Sequence, residues 1–436
     1  MTPPEPSPPA TDRAIGIDFY WTRSPGAPGR LKQSALDFEV SEISAYPAPD
    51  PAGPQTILRV ESENWEQHEL AEAIARRLRL PPHALQWAGT KDRRAVSTRL
   101  FSYLGPPPEG DLGLPRVRLV EAYRAREGLS LGHHYGNTFA IRVETEDPPA
   151  EALPRYAEVR AEIERTGGFP NLFGPQRFGE VRPITHEVGR ALVRGDADRA
   201  VEIYLVENDP ASTTAGSEAR RSYAEHRDPA RGLREFPPAY RFERILLERL
   251  ARGYPAERAL RGLSRELRLL FVHAYQSLLF NCWVSGRIAR GLPLDRPVEG
   301  DFLLRIGRDG TLASHPGVPV GPDNLTEATR WVEEGGARLA GPLIGYATPP
   351  SRGVPGEILE EILRREGVTR ESFRVFPAPE VASAGAFRPV LVPSPAISLE
   401  AVTGGVRFGF SLPKGAYATV LLREFLKPRE PACRSN

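Results

Sequence analysis

The spacing of apolar residues predicts mainly strands in the first third of the chain. Residues 36–43 alternate apolar and polar side chains, as a strand with one buried face does. Similar patterns predict strands over 56–60, 84–88, 96–103, 117–123 and 138–143. A helix with Asn64 as its N-cap is predicted from Leu70, Ile74 and Leu78, which recur every four residues. A second helix is predicted over 150–166, ended by two glycines.

After about residue 190 the helical period dominates, and it returns to a β pattern near the end. Helices are predicted over 184–194, 240–252, 263–290, 324–334 and 356–366, with 207–239 as a polar linker or mobile loop. Strands are predicted over 387–392 and 406–412, followed by an amphipathic helix over 416–427. This order predicts an α+β protein in which a second domain interrupts the first.

Other features of the sequence predict a cytoplasmic globular protein. Residues 1–12 are rich in proline and are predicted to form a disordered tail. There is no run of about 18 apolar residues for a membrane span, and the first residues lack the pattern of a secretory signal. With only Cys282 and Cys433, a disulfide framework is not expected.

Positive charge is concentrated in two segments that are far apart in sequence. The net charge of the 436-residue chain is only +1, but residues 71–100 carry +5 and residues 403–436 carry +4. This distribution favours a polyanion as ligand, although two solvated helix faces would also explain it. Only four of the 57 basic residues are lysines, namely Lys32, Lys91, Lys414 and Lys427. A lysine retained among so many arginines suggests a site that requires a compact ammonium group.

The sequence carries none of the common metal or nucleophile motifs. The eight histidines are scattered, and His133 and His134 would point to opposite faces of a strand. There is no His-Glu-x-x-His, Cys-x-x-Cys, Gly-x-Ser-x-Gly or phosphate-binding P-loop spacing. We therefore expect no bound metal.

One carboxylate stands out in the segment Trp87–Ala95, which reads WAGTKDRRA. Asp92 is flanked by Lys91, Arg93 and Arg94, and neighbouring cations lower the pKa of a carboxyl group. An ionised, oriented aspartate can serve as a nucleophile or general base. The alternative is a loop aspartate that closes an Asx turn or makes a surface ion pair.

Two further loops have compositions that suit RNA. Asn171–Gly179 reads NLFGPQRFG and combines aromatic rings with an arginine fork, as in a base-stacking loop; a packed connection between helices is the alternative. Leu412–Thr419 is a predicted strand-to-helix turn that carries Lys414, and a helix N-terminus can bind an anion.

Taken together, these segments resemble the TruD family of tRNA pseudouridine synthases, and they are more similar to its archaeal than to its bacterial branch. The matching segments occur in the family's order along nearly the whole chain: Gly29–Lys32 with Asp37–Glu42, Ala88–Ala95, Gly136–Phe139, Asn171–Gly179, Gln276–Asn281, and Leu412–Thr419 with Arg423 and Glu424. One departure is Ser97-Thr98-Arg99, where the family usually has Thr-x-Gln. Arg99 in this place is expected to change either an RNA contact or a structural hydrogen bond.

The resemblance implies a fold and a domain plan. A pseudouridine synthase catalytic core of mixed β-sheet with helices is expected over 13–194 and 386–436. A helix-rich TRUD insertion domain is expected over 195–385.

The resemblance also implies a role for each matching residue. Asp92 would be catalytic, with Lys32 as its basic partner. Phe173 would stack on the target uracil and Asn171 would hold the loop. The remaining substrate-binding candidates are Lys91, Arg177 and Phe38.

The implied activity is isomerisation of a uridine in tRNA, by family expectation uridine 13 of the D-arm, without a cofactor. The implied partner is tRNA, and we expect a monomer. Two alternatives stay open: an inactive RNA-binding protein on the same fold, favoured only by Arg99, and a carboxylate-dependent hydrolase of a small substrate.

Overall fold

The computed structural model describes residues 7–44, 47–89, 91, 93–130, 132, 134–179, 182–207, 212–307, 311–313, 317–376 and 378–428. Asp92, Thr90 and His133 lie outside the described residues. The chain divides into two compact units, which are treated separately below. Residues 20–169 and 392–428 belong to the first unit, and residues 7–19 and 170–391 to the second.

The strands are concentrated at the two ends of the chain. They are β1 (Gly29–Arg30), β2 (Phe38–Ser44), β3 (Gln55–Glu63), β4 (Val96–Leu104), β5 (Val117–Ala125), β6 (His134–Thr145), β7 (Gly168–Pro170), β8 (Phe302–Arg305), β9 (Val318–Pro319), β10 (Ala337–Leu343), β11 (Ala386–Pro389), β12 (Leu391–Pro393), β13 (Ser398–Val402) and β14 (Gly405–Pro413).

Most helices lie in the middle of the chain. They are α1 (Ala10–Arg13), α2 (Gln67–Arg77), α3 (Pro149–Arg165), α4 (Thr185–Val193), α5 (Ala197–Val206), α6 (Ala215–His226), α7 (Pro229–Glu235), α8 (Arg241–Ala251), α9 (Ala256–Leu260), α10 (Arg265–Ala289), α11 (Leu325–Glu333), α12 (Gly353–Glu366) and α13 (Ala418–Leu426).

The first unit is built on an eight-stranded mixed sheet in the order β13-β14-β6-β2-β4-β3-β5, with β1 added to β6. The pair β2–β4 is parallel, whereas the other neighbours are antiparallel. This arrangement places the C-terminal strands β13 and β14 beside N-terminal strands. Residues from both ends of the chain therefore complete one sheet, as the order of β-rich and helix-rich segments predicted.

The helix α2 packs its apolar face on this sheet. Leu70 and Ile74 are fully buried against Leu58, Val60 and Phe101 of the adjacent strands. Tyr156 of α3 packs against Phe408 of β14 and Phe425 of α13. Helices α3 and α13 therefore share an apolar cluster with strand β14. Burial of each such side chain contributes about 1.5–3 kcal/mol before packing effects.

Arg99, the departure from the family pattern, is a core residue of the first unit. Its side chain is 1 % exposed and donates from Nη1 to Gln67 Oε1 at 2.6 Å, and from Nη2 to the hydroxyls of Ser97 and, at 3.4 Å, Ser62. Burial lowers the pKa of Arg99 to about 10, an effect opposed by Glu42 and Glu66. The substitution therefore changes structural hydrogen bonds between the sheet and α2.

The second unit is organised around the 25-residue helix α10, which is buried on most sides. A four-stranded antiparallel sheet, β11-β10-β8-β9, lies in the same unit. Helix α4 approaches α10 closely at Gly189, where an added Cβ would lie 2.0 Å from the carbonyl oxygen of Phe271. Glycine is therefore required at this helix crossing.

Residues 7–12 do not form the disordered tail that their composition predicted. Ala10–Arg13 forms α1, and Asp12 is 8 % exposed. The segment after it is held by α10, since Asn281 Nδ2 donates to the Ile15 carbonyl at 2.9 Å and Ser285 Oγ to the Gly16 carbonyl at 2.7 Å. Buried Ile15 explains why the segment orders despite its prolines.

Most predicted elements are confirmed, and the errors have local causes. Asn64 has a left-handed φ of 59°, and the N-cap of α2 is Glu66, whose carboxylate accepts from the backbone N–H groups of His68 and Glu69. Instead of a strand over 84–88, only Gln86 bridges to the sheet, at Ser102.

The predicted loop over 207–239 is wrong, because it contains α6 and α7. These short helices are capped by the Thr214 and Asp228 side chains and are anchored by few apolar residues, notably buried Tyr223 and Phe236. The sparse apolar positions are the reason that no helical period was visible.

The division into two units lies elsewhere than the predicted domain boundaries. Within the described residues the chain passes between the units at 19/20, 169/170 and 391/392, whereas the insertion domain was predicted over 195–385. As a result, the Asn171–Gly179 loop and α4 belong to the second unit. The assignment of a family insertion domain stays a prediction.

Candidate active site

A buried ion pair anchors the loop that leads to Asp92. Lys91 Nζ donates to Glu42 Oε2 at 2.7 Å, and the two side chains are only 3 % and 2 % exposed. Glu42 is at an inward-facing position of β2, where the alternation would favour an apolar residue. The residue next to Asp92 in sequence is thereby tied to the central sheet.

Burial and nearby charge govern the ionisation of Lys91. Burial lowers the pKa of the ammonium group, Glu42 opposes this effect, and Arg99 adds to the lowering. The second carboxylate oxygen of Glu42, Oε1, is buried and has no hydrogen-bond partner within the described part of the chain. Glu42 therefore serves as the counter-charge of the buried Lys91 ammonium group.

His134, at the start of β6, packs directly under the same loop. A Cβ at Gly89 would lie 2.9 Å from His134 Cε1, so a larger residue here would displace the His134 ring. The Nδ1 atom of His134 lies 3.1 Å from the Ala88 carbonyl oxygen, which can only accept; Nδ1 therefore carries the proton. Burial, followed by Lys91 and Lys414, lowers the pKa of His134 and favours the neutral ring.

Lys414 connects a third sequence motif to this region. Its ammonium group donates to the Gly132 carbonyl at 3.0 Å, and its backbone N–H donates to the Tyr135 carbonyl at 2.8 Å. The Gly132 N–H in turn donates to the Ala88 carbonyl at 2.9 Å. Three segments singled out in the sequence thus meet around one loop. Anion binding by the Lys414 turn stays a prediction.

Lys32 and Phe38, two of the predicted site residues, contact each other. The Lys32 ammonium lies 4.4 Å from the Phe38 ring centroid, and Lys32 has a left-handed φ of 55°. Phe38 is 3 % exposed and also packs edge-on against Phe139. The roles of Lys32 beside Asp92 and of Phe38 in substrate binding stay predictions.

In the second unit, Asn171 uses all its polar groups to fix its own loop. Its backbone N–H donates to the Val390 carbonyl and its Nδ2 to the Pro389 carbonyl, at 2.8 and 2.9 Å. Arg388 donates from Nε to the Asn171 carbonyl at 2.8 Å and from Nη2 to Oδ1 at 2.6 Å. The residue is thus a rigid link between the loop and β11.

Phe173 is held by backbone contacts as well as by its ring. Asn281 Oδ1 accepts from the Phe173 N–H at 2.8 Å, and Asn281 Nδ2 donates to the Phe173 carbonyl at 3.0 Å. The Arg388 guanidinium lies 4.0 Å from the ring centroid, and Phe280 packs edge-on at 5.7 Å. The ring is 7 % exposed, so both its position and its tilt are constrained.

Arg177 lies close to the same ring. Its guanidinium carbon is 5.8 Å from the Phe173 ring centroid, and its Nε donates to Ser277 Oγ at 3.0 Å. Burial, followed by the Arg177 charge, lowers the pKa of nearby His273 to about 4, so this histidine is neutral near pH 7. A phosphate or substrate contact of Arg177 stays a prediction.

Four residues of these clusters had no assigned role in the sequence: Glu42, His134, Asn281 and Arg388. Glu42 and Asn281 lie within motifs that carried the family resemblance, and a charged residue at an inward strand position was a detectable signal. Nothing in the local pattern marks Arg388, because its importance comes from a residue 217 positions away.

Within the described ranges, no group of three or more His, Cys, Asp or Glu side chains could hold a metal ion. No helix in the described part of the chain is both long and apolar enough to span a membrane.

Comparison with known proteins decides the family. The family model for tRNA pseudouridine synthase D (TruD) matches residues 14–425. The chain belongs to the TruD family. The family assignment that the six ordered motifs suggested is thus confirmed.

Archaeal relatives cover the chain almost completely. Proteins named as tRNA pseudouridine synthase D from Methanococcoides burtonii and Halobacterium salinarum are 36 % and 38 % identical, and each covers 96 % of this chain. The alignments span 98 % and 97 % of those relatives. A crystal structure from Methanosarcina mazei with the same family name matches with a TM-score of 0.82 at 33 % identity, covering 97 % of this chain and 98 % of that one. This match confirms the α+β fold.

We predict that Glu42→Gln destabilises the protein by about 3–5 kcal/mol, because Lys91 would stay buried without its counter-charge. The free energy of unfolding in urea measures the effect. The matched control is Glu39→Gln on the same strand, since Glu39 pairs with Arg407 at the surface and both side chains are nearly half exposed. The control should cost about 0–1 kcal/mol.

Replacing Lys91 by Met in the Glu42→Gln background removes the uncompensated charge and should restore part of the lost stability. Equal unfolding free energies for Glu42→Gln and Glu39→Gln would contradict the anchoring role of the ion pair.

Proposed function

We propose that this TruD protein isomerises a uridine in tRNA, moving the uracil from an N1–C1′ to a C5–C1′ bond without a cofactor. The observation that carries this proposal is the buried Lys91–Glu42 pair, which anchors the residue preceding Asp92 in a chain that matches the TruD family over nearly its whole length. By family expectation the target is uridine 13 of the D-arm.

Asp92 supplies the carboxylate that the chemistry needs. Its sequence neighbours Lys91, Arg93 and Arg94 favour the ionised form, and we assign Lys32 as its basic partner. Three routes use one such carboxylate: attack on C1′, addition to C6, and removal of the C2′ proton. Each breaks the N1–C1′ bond and ends with loss of the C5 hydrogen.

Phe173 provides a surface on which the uracil stacks while it is detached and reoriented. Its backbone is fixed by Asn281 and its ring by Arg388 and Phe280, which supports a role that needs a defined orientation. The target base must leave the folded tRNA at a cost of a few kcal/mol. Phosphate contacts from the exposed basic side chains of the segments 71–100 and 403–436, such as Arg76, Arg93 and Lys414, offset that cost.

Arg99 no longer favours the alternative of an inactive RNA-binding protein. Its guanidinium is buried beneath α2 and bonds to Gln67 and two serines, so the departure from the family pattern is accounted for within the core.

The experiment that tests the function maps new pseudouridines in an unmodified tRNA transcript by carbodiimide labelling and primer extension. We predict a single strong stop at uridine 13 with the wild type. Asp92→Asn should give no stop yet bind the transcript with undiminished affinity, and binding of both proteins should weaken steeply with salt. Near-normal turnover by Asp92→Asn would contradict the catalytic assignment, and a stop elsewhere would contradict the position.

We predict that Arg388→Lys lowers the single-turnover rate by about 10- to 100-fold, because lysine lacks the guanidinium fork that bonds both Asn171 oxygens beside the Phe173 ring. The affinity for tRNA should stay the same. Arg374→Lys is the matched control, since Arg374 also stacks on a ring, that of Tyr346 at 4.4 Å, but is about half exposed.

A double-variant cycle with Phe173→Leu separates positioning from general stability. If Arg388 acts through the ring, Arg388→Lys costs little further rate once Phe173 is replaced. An undiminished rate for Arg388→Lys alone, or fully additive losses, would contradict the positioning role.

A further inference from the structure

A cleft in the first unit lies between α2 and the chain segment that follows it. Its volume is about 390 Å³, within the usual range for small-ligand sites. Ala71, Ala75 and Leu85 form an apolar floor and are each less than 7 % exposed. None of the residues discussed so far for uridine chemistry lines this cleft.

The walls of the cleft are aromatic and imidazole rings. Trp87 and His68 meet edge-on, with 5.3 Å between their ring centroids, and Pro82 and His83 of the segment after α2 also line the cleft. Flat rings around an apolar floor are the surroundings in which proteins stack unpaired nucleobases. The composition thus fits a base better than an aliphatic chain.

The rim carries one negatively and one positively charged side chain, Glu72 and Arg76. Glu72 and Arg76 are one turn apart on α2, and within the described residues neither side chain has a hydrogen-bond or ion-pair partner. Arginine can bind a phosphate. A carboxylate accepts from the amino group of guanine, adenine or cytosine, which uracil lacks.

The cleft is also close in sequence to the proposed nucleophile. Trp87 precedes Asp92 by five residues, so their Cα atoms are separated by at most about 18 Å even in a fully extended chain. Five arginines of the segment 71–100 are exposed, whereas Lys91 and Arg99 are buried in internal contacts. The exposed cations favour a polyanionic partner over a neutral or basic protein.

We propose that this cleft binds an unstacked, amino-bearing nucleobase of the RNA, close in sequence or in space to the target uridine. The inference rests on the proposed function, because it assigns a second base-binding site to the same RNA. The base stacks against the Trp87 ring, beside the His68 and His83 rings, its amino group donates to Glu72, and Arg76 contacts a phosphate.

The test compares binding of an unmodified tRNA transcript at several salt concentrations. The double variant His68→Ala/His83→Ala should weaken binding by about 5- to 30-fold at every salt concentration, since stacking releases no counterions. Arg76→Gln should instead reduce the salt slope by about one, as expected for loss of a phosphate contact. Phe376→Ala, which removes a 79 % exposed ring in the second unit, is the control and should change neither quantity.

A second arm uses free nucleotides and does not depend on tRNA folding. Guanosine monophosphate should shift the NMR signals of the Trp87 indole and the His68 and His83 rings more than uridine monophosphate does. Glu72→Gln should reduce that difference.

An unchanged affinity of His68→Ala/His83→Ala for the transcript, with the melting temperature intact, would overturn the inference, as would equal shifts with both nucleotides. The proposed function is judged separately: a wild type that binds the transcript but forms no pseudouridine contradicts the function and leaves the binding result to decide the cleft.

Discussion

The buried ion pair between Lys91 and Glu42 is the constraint on which the architecture of the first unit depends. An ammonium group removed from water needs a counter-charge within hydrogen-bond distance, and β2 provides it at a position that faces the core. Gly89 lets the loop lie directly against the His134 ring. His134 and Lys414 then fix the neighbouring backbone at Ala88 and Gly132.

The second unit fixes its candidate loop in a different way, through neutral amides and one arginine. Asn171 and Asn281 between them engage the backbone on both sides of Leu172, so the loop keeps its shape without a regular element. Arg388 adds the link to β11 and lies on the Phe173 ring. A rigid backbone beneath Phe173 suits its proposed role of stacking on a base, because the orientation of the base decides which of its atoms faces the sugar.

Structural features that have a local cause could be predicted from the sequence. The alternation over 36–43 predicted β2 because that strand has one buried face. The N-cap of α2 was misplaced because Glu66, an uncommon cap, replaces the expected Asn64. Residues 207–239 concealed α6 and α7, which rely on caps and on a buried ion pair between Arg220 and Glu243 rather than on an apolar stripe.

Features that depend on distant contacts could not be predicted. Arg99 was ambiguous because only the fold shows that it lies under α2, and Arg388 carried no local signal at all. The placement of Ile15 and Gly16, shortly after α1, likewise depends on α10, about 270 residues further along the chain. Motif resemblance identified the family, whereas the side chains that support the motifs became visible only in the structure.

The most direct test of the account follows the hydrogen that the reaction must expel. An unmodified tRNA transcript carrying uridine labelled with tritium at C5 is incubated with the wild type and with Asp92→Ala, and tritium released to water is counted. The account predicts release by the wild type and none by the variant, because formation of the C5–C1′ bond displaces the label. Release by Asp92→Ala at the wild-type rate, or no release by a wild type that binds the transcript, would contradict it.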